Sequence, residues 1–274
     1  MSPPGRPKGE YRSAQHEGSP VSAKGRPERE LLPPGGKARS AKGEPVTMNV
    51  LVVDIGGTFV KILATGQAAP RRLPSGPDLT PAAMVAAVKA GAQDWPYEAV
   101  SIGYPGVVVR NRPVAEPHNL GRGWVGFDYA AAFGCPVKII NDAAMQALGC
   151  YRGGKLLFLG LGTGLGTAMV VDGVVEPMEL GHAPYRKSLF EDYVGAGGLE
   201  RLGRKKWREE VAKVVAVLAG ALLPTDLVIG GGNVHRLKEL PPGARAGDNA
   251  DAFIGGFRLW DNGDAPKPLP PRPD

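Results

Sequence analysis

The chain has little of several things at once. It contains only two cysteines, Cys135 and Cys150, in 274 residues. Neither a disulfide framework nor a four-cysteine zinc site can be built from two, and each is expected to be a small buried thiol. No stretch approaches the ~20 consecutive apolar residues of a membrane helix. The N-terminus lacks the apolar core of a signal peptide, and its acidic residues argue against a transit peptide. The expected setting is a reducing cytoplasm, with no membrane partner. Apolar residues are scarce at both ends. Residues 1–47 hold 10 apolar side chains and 8 prolines, and residues 262–274 hold 5 more prolines, too little apolar surface to offset ordering entropy. A disordered extension (1–47) and a disordered tail (262–274) are expected. Met48 stands directly before a strong strand, which leaves open an upstream misreading of the start.

A basic folded face is lacking too. Of the formal net charge of +6, most lies in residues 1–47, where 9 Lys/Arg meet 5 Asp/Glu. A tail with interspersed acids is a poor nucleic-acid surface, so no nucleic-acid partner is expected.

What remains, about residues 48–261, reads as α/β. Short β-branched runs predict strands over 49–54, 59–64, 99–103, 137–140, 156–161, 167–171 and 226–229. Thr80 followed by Pro81 predicts the start of a helix over 80–95. Helices are also predicted over 143–151, 205–223 and 249–260, the last a closing helix within 246–261. Trp207, Val211, Val214, Val215, Leu218 and Leu222 recur at helical spacing in the longest. The hairpins described next break plain β–α alternation.

One feature occurs twice. Val52-Val-Asp54-Ile-Gly56-Gly57-Thr58-Phe-Val-Lys61 and Leu159-Gly-Leu-Gly162-Thr163-Gly164-Leu-Gly166-Thr167 are each an apolar strand, a Gly/Thr turn and a second strand. Glycine lets the backbone approach a ligand and turn its N–H groups toward an anion. A dinucleotide-binding turn or a Walker loop must open a helix, whereas a strand follows here. The pair reads either as ordinary hairpins or as two hairpins gripping phosphates. Asn141-Asp142-Ala-Ala marks a strand-to-helix junction, where Asp142 is expected as the N-cap.

These residues resemble the sugar kinase/actin/Hsp70 superfamily. Asp54-Ile-Gly-Gly-Thr-Phe-Val-Lys61 is similar to its first phosphate motif and Leu161-Gly-Thr-Gly-Leu-Gly166 to its second. Gly230-Gly231-Gly232-Asn233 is similar to its adenosine motif. Within it the chain resembles ROK-family sugar kinases, nearest the bacterial polyphosphate/ATP glucokinases, from about Asn49 to Trp260. The resemblance implies a two-lobed actin-like ATPase (ribonuclease H-like) fold, with lobes over 48–141 and 142–245. It implies Mg²⁺-dependent transfer of a phosphoryl group from ATP or polyphosphate to the 6-hydroxyl of glucose or a related hexose. Asp142 then takes the proton of the attacking hydroxyl, its charge kept by the positive end of the helix. Asp54 holds Mg²⁺, through water. Gly56, Gly57, Thr58, Lys61, Gly162, Thr163, Gly164 and Gly166 bind phosphates, and Gly230, Gly231, Gly232 and Asn233 the adenosine.

The Glu-x-Gly-His sugar motif is matched by Glu179-Leu-Gly-His182. Asn119, Asn141, Asp142 and Glu191 complete the implied hexose contacts, with Tyr104-Pro105-Gly106-Val107 and His118-Asn119-Leu120 as neighbouring loops. Many members follow this motif with a cysteine-rich zinc loop. Residues 183–195 contain no cysteine, so no structural zinc is expected, and packing by Tyr185, Leu189, Phe190 and Tyr193 is expected to hold the loop instead. The basic run Arg201, Arg204, Lys205, Lys206 and Arg208 is either a polyanion track or a solvated helix start, which leaves the donor open. The family admits a homodimer. Two other functions stand beside the kinase: a non-catalytic sugar sensor or regulator of the same family, and an actin-like ATPase.

Overall fold

Residues 48–248 and 250–261 are described by the computed structural model, and the expectations for 1–47 and 262–274 lie outside them. From Val50 the chain runs through β1 (Val50–Ile55), β2 (Phe59–Ala64), β3 (Arg71–Pro74), α1 (Pro81–Gly91) and β4 (Ala99–Tyr104). A short hairpin, β5 (Val108–Val109) and β6 (Arg112–Pro113), precedes α2 (Tyr129–Phe133), β7 (Val137–Asn141) and α3 (Asp142–Cys150). Next come β8 (Lys155–Leu161), β9 (Leu165–Val171), β10 (Val174–Met178) and the small hairpin β11 (Pro184–Tyr185) with β12 (Ser188–Leu189). Then follow α4 (Phe190–Val194), α5 (Ala196–Leu222), β13 (Asp226–Gly230), β14 (Ala244–Ala246) and α6 (Asp251–Arg258).

The strands form two five-stranded sheets of one design, β3-β2-β1-β4-β7 and β10-β9-β8-β13-β14. In each, the first three strands in sequence are antiparallel neighbours and the other two add in parallel. The repeated glycine turn is thus the visible part of a repeated sheet, since each turn joins its first two strands.

Period-two alternation decides what each sheet face meets. Leu51, Val53 and Ile55 of β1 pack with Met84, Val85 and Val88 of α1, whereas Val50 and Val52 pack with Met145, Ala252 and Phe253. In the second sheet Leu157 and Leu159 meet Trp207, Val211 and Val214 of α5, while Leu156 and Phe158 meet Ala143, Ala144 and Ala147 of α3. So α6 covers the first sheet, α3 covers the second, and these two helices pack on each other. Gly149 and Gly255 make that crossing close: a Cβ on either would lie against the backbone carbonyl of the facing helix. The Arg258 guanidinium on α6 donates to Leu148 O at 2.6 Å and to Gly149 and Tyr151 O at 3.1 Å, satisfying carbonyls left open at the end of α3.

Some boundaries move. α1 ends at Gly91 rather than Trp95. The helix predicted over 205–223 is the second of two that meet at Gly203, where φ is 72 and ψ 161, a conformation glycine tolerates, and the pair spans Ala196–Leu222. Residue 246 belongs to β14, so the closing helix is only Asp251–Arg258. Cys150 is buried as expected, but Cys135 is only partly buried. Among the described residues no helix is long and apolar enough to cross a membrane.

Candidate active site

Both glycine turns open on one cleft of about 650 Å³. Asp54 reaches it from the end of β1, Gly56 and Gly57 from the turn that follows, and Asp142 from the first residue of α3. Gly162, Thr163, Gly164 and Gly166 line it from the β8–β9 turn, and Gly231 and Gly232 from the loop after β13. Glu179 and His182 close it from the turn after β10, Glu191 from the first turn of α4, and Asn119 from the loop before α2. Thr58, Gly230 and Asn233 do not line the cleft. Thr58 is exposed at the hairpin tip. Asn233 instead supports the second turn, donating from Nδ2 to Gly162 O at 3.1 Å and accepting from Arg236 Nε at 3.0 Å.

Asp142 is not the helix cap. Asn141 is: its Oδ1 accepts from Ala144 N–H at 3.1 Å, and its Nδ2 donates to Gly106 O at 3.1 Å. Capping therefore falls to the neighbour, and the carboxylate of Asp142 is left facing the cleft. Nor does the helix end hold it ionised. Burial first, then the negative charge of Asp54, push the Asp142 carboxyl up to about 7, and the charge of Glu179 adds to this; the N–H of Ala143, 2.7 Å from Oδ1, opposes them without winning. Desolvation and a like-charge neighbour together outweigh one helix terminus.

Asp54 lies opposite Lys61 in the β1–β2 register, and Lys61 Nζ sits 3.0 Å from Asp54 Oδ2. The residues expected to hold metal and phosphate thus neutralise each other across the strand pair. The carboxylates of Asp54 and Asp142 offer hard oxygen donors within one cleft, which is the donor chemistry Mg²⁺ prefers; these residues fit that ion.

His182 stands between two acids, Nδ1 at 3.5 Å from Glu179 Oε2 and Nε2 at 3.5 Å from Glu191 Oε1. Burial raises the Glu179 carboxyl and Glu191 raises it further, while His182 and His118 pull it down. The region without cysteines is packed as expected: the Tyr185 ring stacks on Phe190 at 4.8 Å and meets Tyr193 edge-on at 5.2 Å. Gly164 and Gly195 let this region touch the second turn, for a Cβ on Gly164 would meet the Glu191 carboxylate and one on Gly195 would lie 2.6 Å from Thr163 O.

Three contributors carry no motif. Gln146 and Arg201 line the cleft; Arg201 is the one member of the basic run to do so, with Arg204, Lys205 and Lys206 exposed on α5. Glu116 shapes the loop that presents Asn119, accepting N–H bonds from Gly123, Trp124 and Val125 at 3.1–3.3 Å. Its signal in the sequence is faint, a lone acid before Pro117.

The profile of the ROK family matches residues 50–186. The polyphosphate glucokinase of Mycobacterium tuberculosis is 27% identical over 206 residues, covering 67% of this chain and 77% of that protein. The crystal structure of an inorganic polyphosphate/ATP-glucomannokinase from Arthrobacter sp. strain KM superposes with a TM-score of 0.67 at 23% identity, over 77% of this chain and 98% of that one. A ROK transcriptional regulator, a homologue of the Escherichia coli MLC protein, superposes with a TM-score of 0.61 at 15% identity, over 78% of both chains. The fold is therefore the two-lobed actin-like ATPase fold, which carries kinases and regulators alike and does not choose between them. With half its length matched by that profile, the chain belongs to the ROK family.

Proposed function

We propose that the protein is a hexokinase-type sugar kinase, moving a phosphoryl group from ATP or polyphosphate to the 6-hydroxyl of glucose or a close relative. The observation that carries this reading is the position of Asp142. A carboxylate with a near-neutral pKa faces a cleft lined by both glycine hairpins and by Glu179, His182 and Glu191. The relatives named polyphosphate glucokinase and glucomannokinase support it.

In this reading Glu179, His182, Glu191 and Asn119 hold the sugar hydroxyls, and Asn141 orients the start of α3 beneath them. Asp142 Oδ accepts the proton of the 6-hydroxyl as its oxygen attacks the terminal phosphorus. A base whose pKa lies near the working pH suits that task. The backbone N–H groups around Gly56–Gly57 and Gly162–Gly164 receive the donor's phosphate oxygens, and Gly231 and Gly232 its far end. Lys61 exchanges Asp54 for phosphate when the donor enters. Asp54 would hold Mg²⁺ through water, which when bound supplies positive charge against the donor's oxygens. No structural zinc has a role.

The test is a coupled assay of hexose phosphorylation with each donor. Hexose-dependent formation of the 6-phosphate is expected, at a rate at least about a hundredfold lower for Asp142→Asn. Turnover of ATP without sugar would sink the reading, and so would sugar binding with no turnover on either donor, which is the behaviour of a sensor.

A further inference from the structure

The long helix α5 buries an apolar face of Trp207, Val211, Val214, Val215 and Leu218, and among these it carries a carboxylate, Glu210, only 7% exposed. Lys213, one turn along the helix, places Nζ 3.0 Å from its Oε1. Two further partners come from the β11–β12 hairpin: Tyr185 donates its hydroxyl to Oε2 at 3.3 Å, and Arg186 sets Nη1 3.1 Å from the same oxygen. Burial raises this carboxyl, but the Lys213 hydrogen bond and the charges of Arg186 and Lys213 overcome it and hold the group below its ordinary range. A buried ion pair gains little net stability over apolar packing of the same volume, so stability alone does not account for the carboxylate.

The hairpin that Glu210 grips sits between two of the residues assigned to the sugar. At its base Phe190 N–H donates to Ala183 O at 3.1 Å. His182 precedes that base and Glu191 follows it, with Nε2 and Oε1 3.5 Å apart. The ladder is only two residue pairs long, Pro184 with Leu189 and Tyr185 with Ser188, and Pro184 has no N–H to give it. A hairpin so short does not hold its shape alone in water. At its tip Arg186 takes φ 54, a left-handed value that costs arginine more than glycine. From there the guanidinium reaches Glu210 and lies 5.1 Å from the Tyr185 ring and 5.6 Å from the Tyr193 ring. Strained backbone of this kind persists where the surrounding contacts over-determine it. The same helix holds the far side too: the Trp207 indole N–H donates to Val194 O at 2.8 Å, at the end of α4, which carries Glu191.

We propose that Glu210 is a positioning residue for the sugar site: through Arg186 and Tyr185 it fixes the hairpin whose two ends carry His182 and Glu191. The proposal rests on the hexose-kinase reading for the identity of the ligand. Tyr185, Arg186 and Glu210 do not line the cleft, so their effect passes through the spacing of the two residues that do. A misplacement of about 1 Å in groups that orient a substrate can cost on the order of a hundredfold. Loosening the hairpin at its tip reaches the base attenuated, for an expected effect of about tenfold.

The experiment compares wild type with Arg186→Gly, Glu210→Gln and the double variant. It reads the Kd of the better-bound of glucose and mannose by titration calorimetry, KM for that hexose and for the phosphoryl donor, and the melting temperature. Arg186→Gly is the decisive variant, because glycine accepts φ 54 and Glu210 keeps Lys213 and Tyr185. It should melt at or above the wild-type temperature and yet bind the hexose about tenfold more weakly, with hexose KM raised alike and donor KM unchanged. The double variant should bind no more weakly than the weaker single one, since both cut the same tie. A folded Arg186→Gly with wild-type hexose Kd and KM overturns the proposal and leaves the kinase reading intact. So do losses that multiply in the double variant, and so does a joint rise of hexose and donor KM, which marks a general loosening of the fold. Wild type that binds hexose but turns it over with neither ATP nor polyphosphate overturns the kinase reading alone, and the Kd values then decide the role of Glu210. Wild type that neither binds nor phosphorylates glucose or mannose overturns both.

Discussion

Asp142 shows how one register decides a role. In Asn141-Asp142-Ala-Ala either polar residue can cap the helix, and the sequence alone favours the aspartate. The structure gives the cap to Asn141, and that single-residue shift frees a carboxylate. Its raised pKa carries two expectations with opposite signs. Activity needs the ionised form, so kcat/KM should climb with pH and level off above about pH 7, the value burial and Asp54 impose. Stability runs the other way. The folded state keeps this proton up to about pH 7 while the unfolded chain releases it near pH 4, so between those values the native form binds more protons and loses stability as pH rises. Asp142→Asn should then lower kcat by at least the 10²–10⁴ of a general base, yet melt several degrees above wild type at pH 8, the gap narrowing toward pH 5. Stopped assays and thermal melts across pH check both. A variant that loses stability at pH 8 would return Asp142 to a structural role.

Elements differ in how plainly they are written. β1, β4, β8 and β13 were legible because each is buried along nearly its whole length and is therefore mostly apolar or small. β3 (Arg-Arg-Leu-Pro) and β10 (Val-Val-Glu-Pro-Met) were not, because outer strands are half solvated and tolerate charge and proline. The first turns of α5 carry Ala-Gly-Gly, a poor helix sequence held by Ala196 N–H bonds to Gly162 and Thr163 O at 3.1 and 3.0 Å; such tertiary support leaves no local signature. The site was legible where chemistry repeats, in the two turns and in Glu179-Leu-Gly-His182. It was opaque where a residue acts by bracing its own loop through backbone N–H groups, as Glu116 does with Gly123, Trp124 and Val125. The loop after β13 yields an expectation at this scale. Gly231 has φ 83, and a Cβ there would lie 2.6 Å from Leu161 N and O. Gly231→Ala should therefore cost 2 kcal/mol or more, roughly the left-handed penalty plus backbone displacement, and raise KM for the phosphoryl donor more than for the sugar. Urea melts and paired KM measurements read the two effects separately. At the opposite end of α3, Asn141→Ala removes both a cap and the tie to Gly106, for an expected loss of about 1–3 kcal/mol.

Across the whole molecule, the cleft exists only as long as two sheets keep their spacing. The first sheet supplies Asp54, Gly56 and Gly57; the second supplies Gly162, Gly164 and Gly166; and α3 and α6 lie between their inner faces. The crossing of these helices is a backbone contact, which fixes the sign of an otherwise routine substitution. Gly→Ala inside a helix ordinarily stabilises by ~1 kcal/mol. At Gly255 the added methyl would strike the Met145 carbonyl, with Gly149 N 2.9 Å away, so the helices must part. Gly255→Ala should destabilise by ~1–3 kcal/mol as an overpacked core does. Because α6 packs on the first sheet and α3 mainly on the second, the displacement is expected to widen the cleft as well. A hexose at a hundred times its Kd stabilises the native state by ~2.7 kcal/mol, which for a chain of this size raises Tm by roughly 5–10 °C. The variant should show a smaller rise at that same hexose concentration, with KM for sugar and donor increased together. Differential scanning calorimetry with and without sugar decides the point: a lowered melting temperature with an unchanged sugar-induced rise would mean that α3 and α6 hold the fold without setting the width of the cleft.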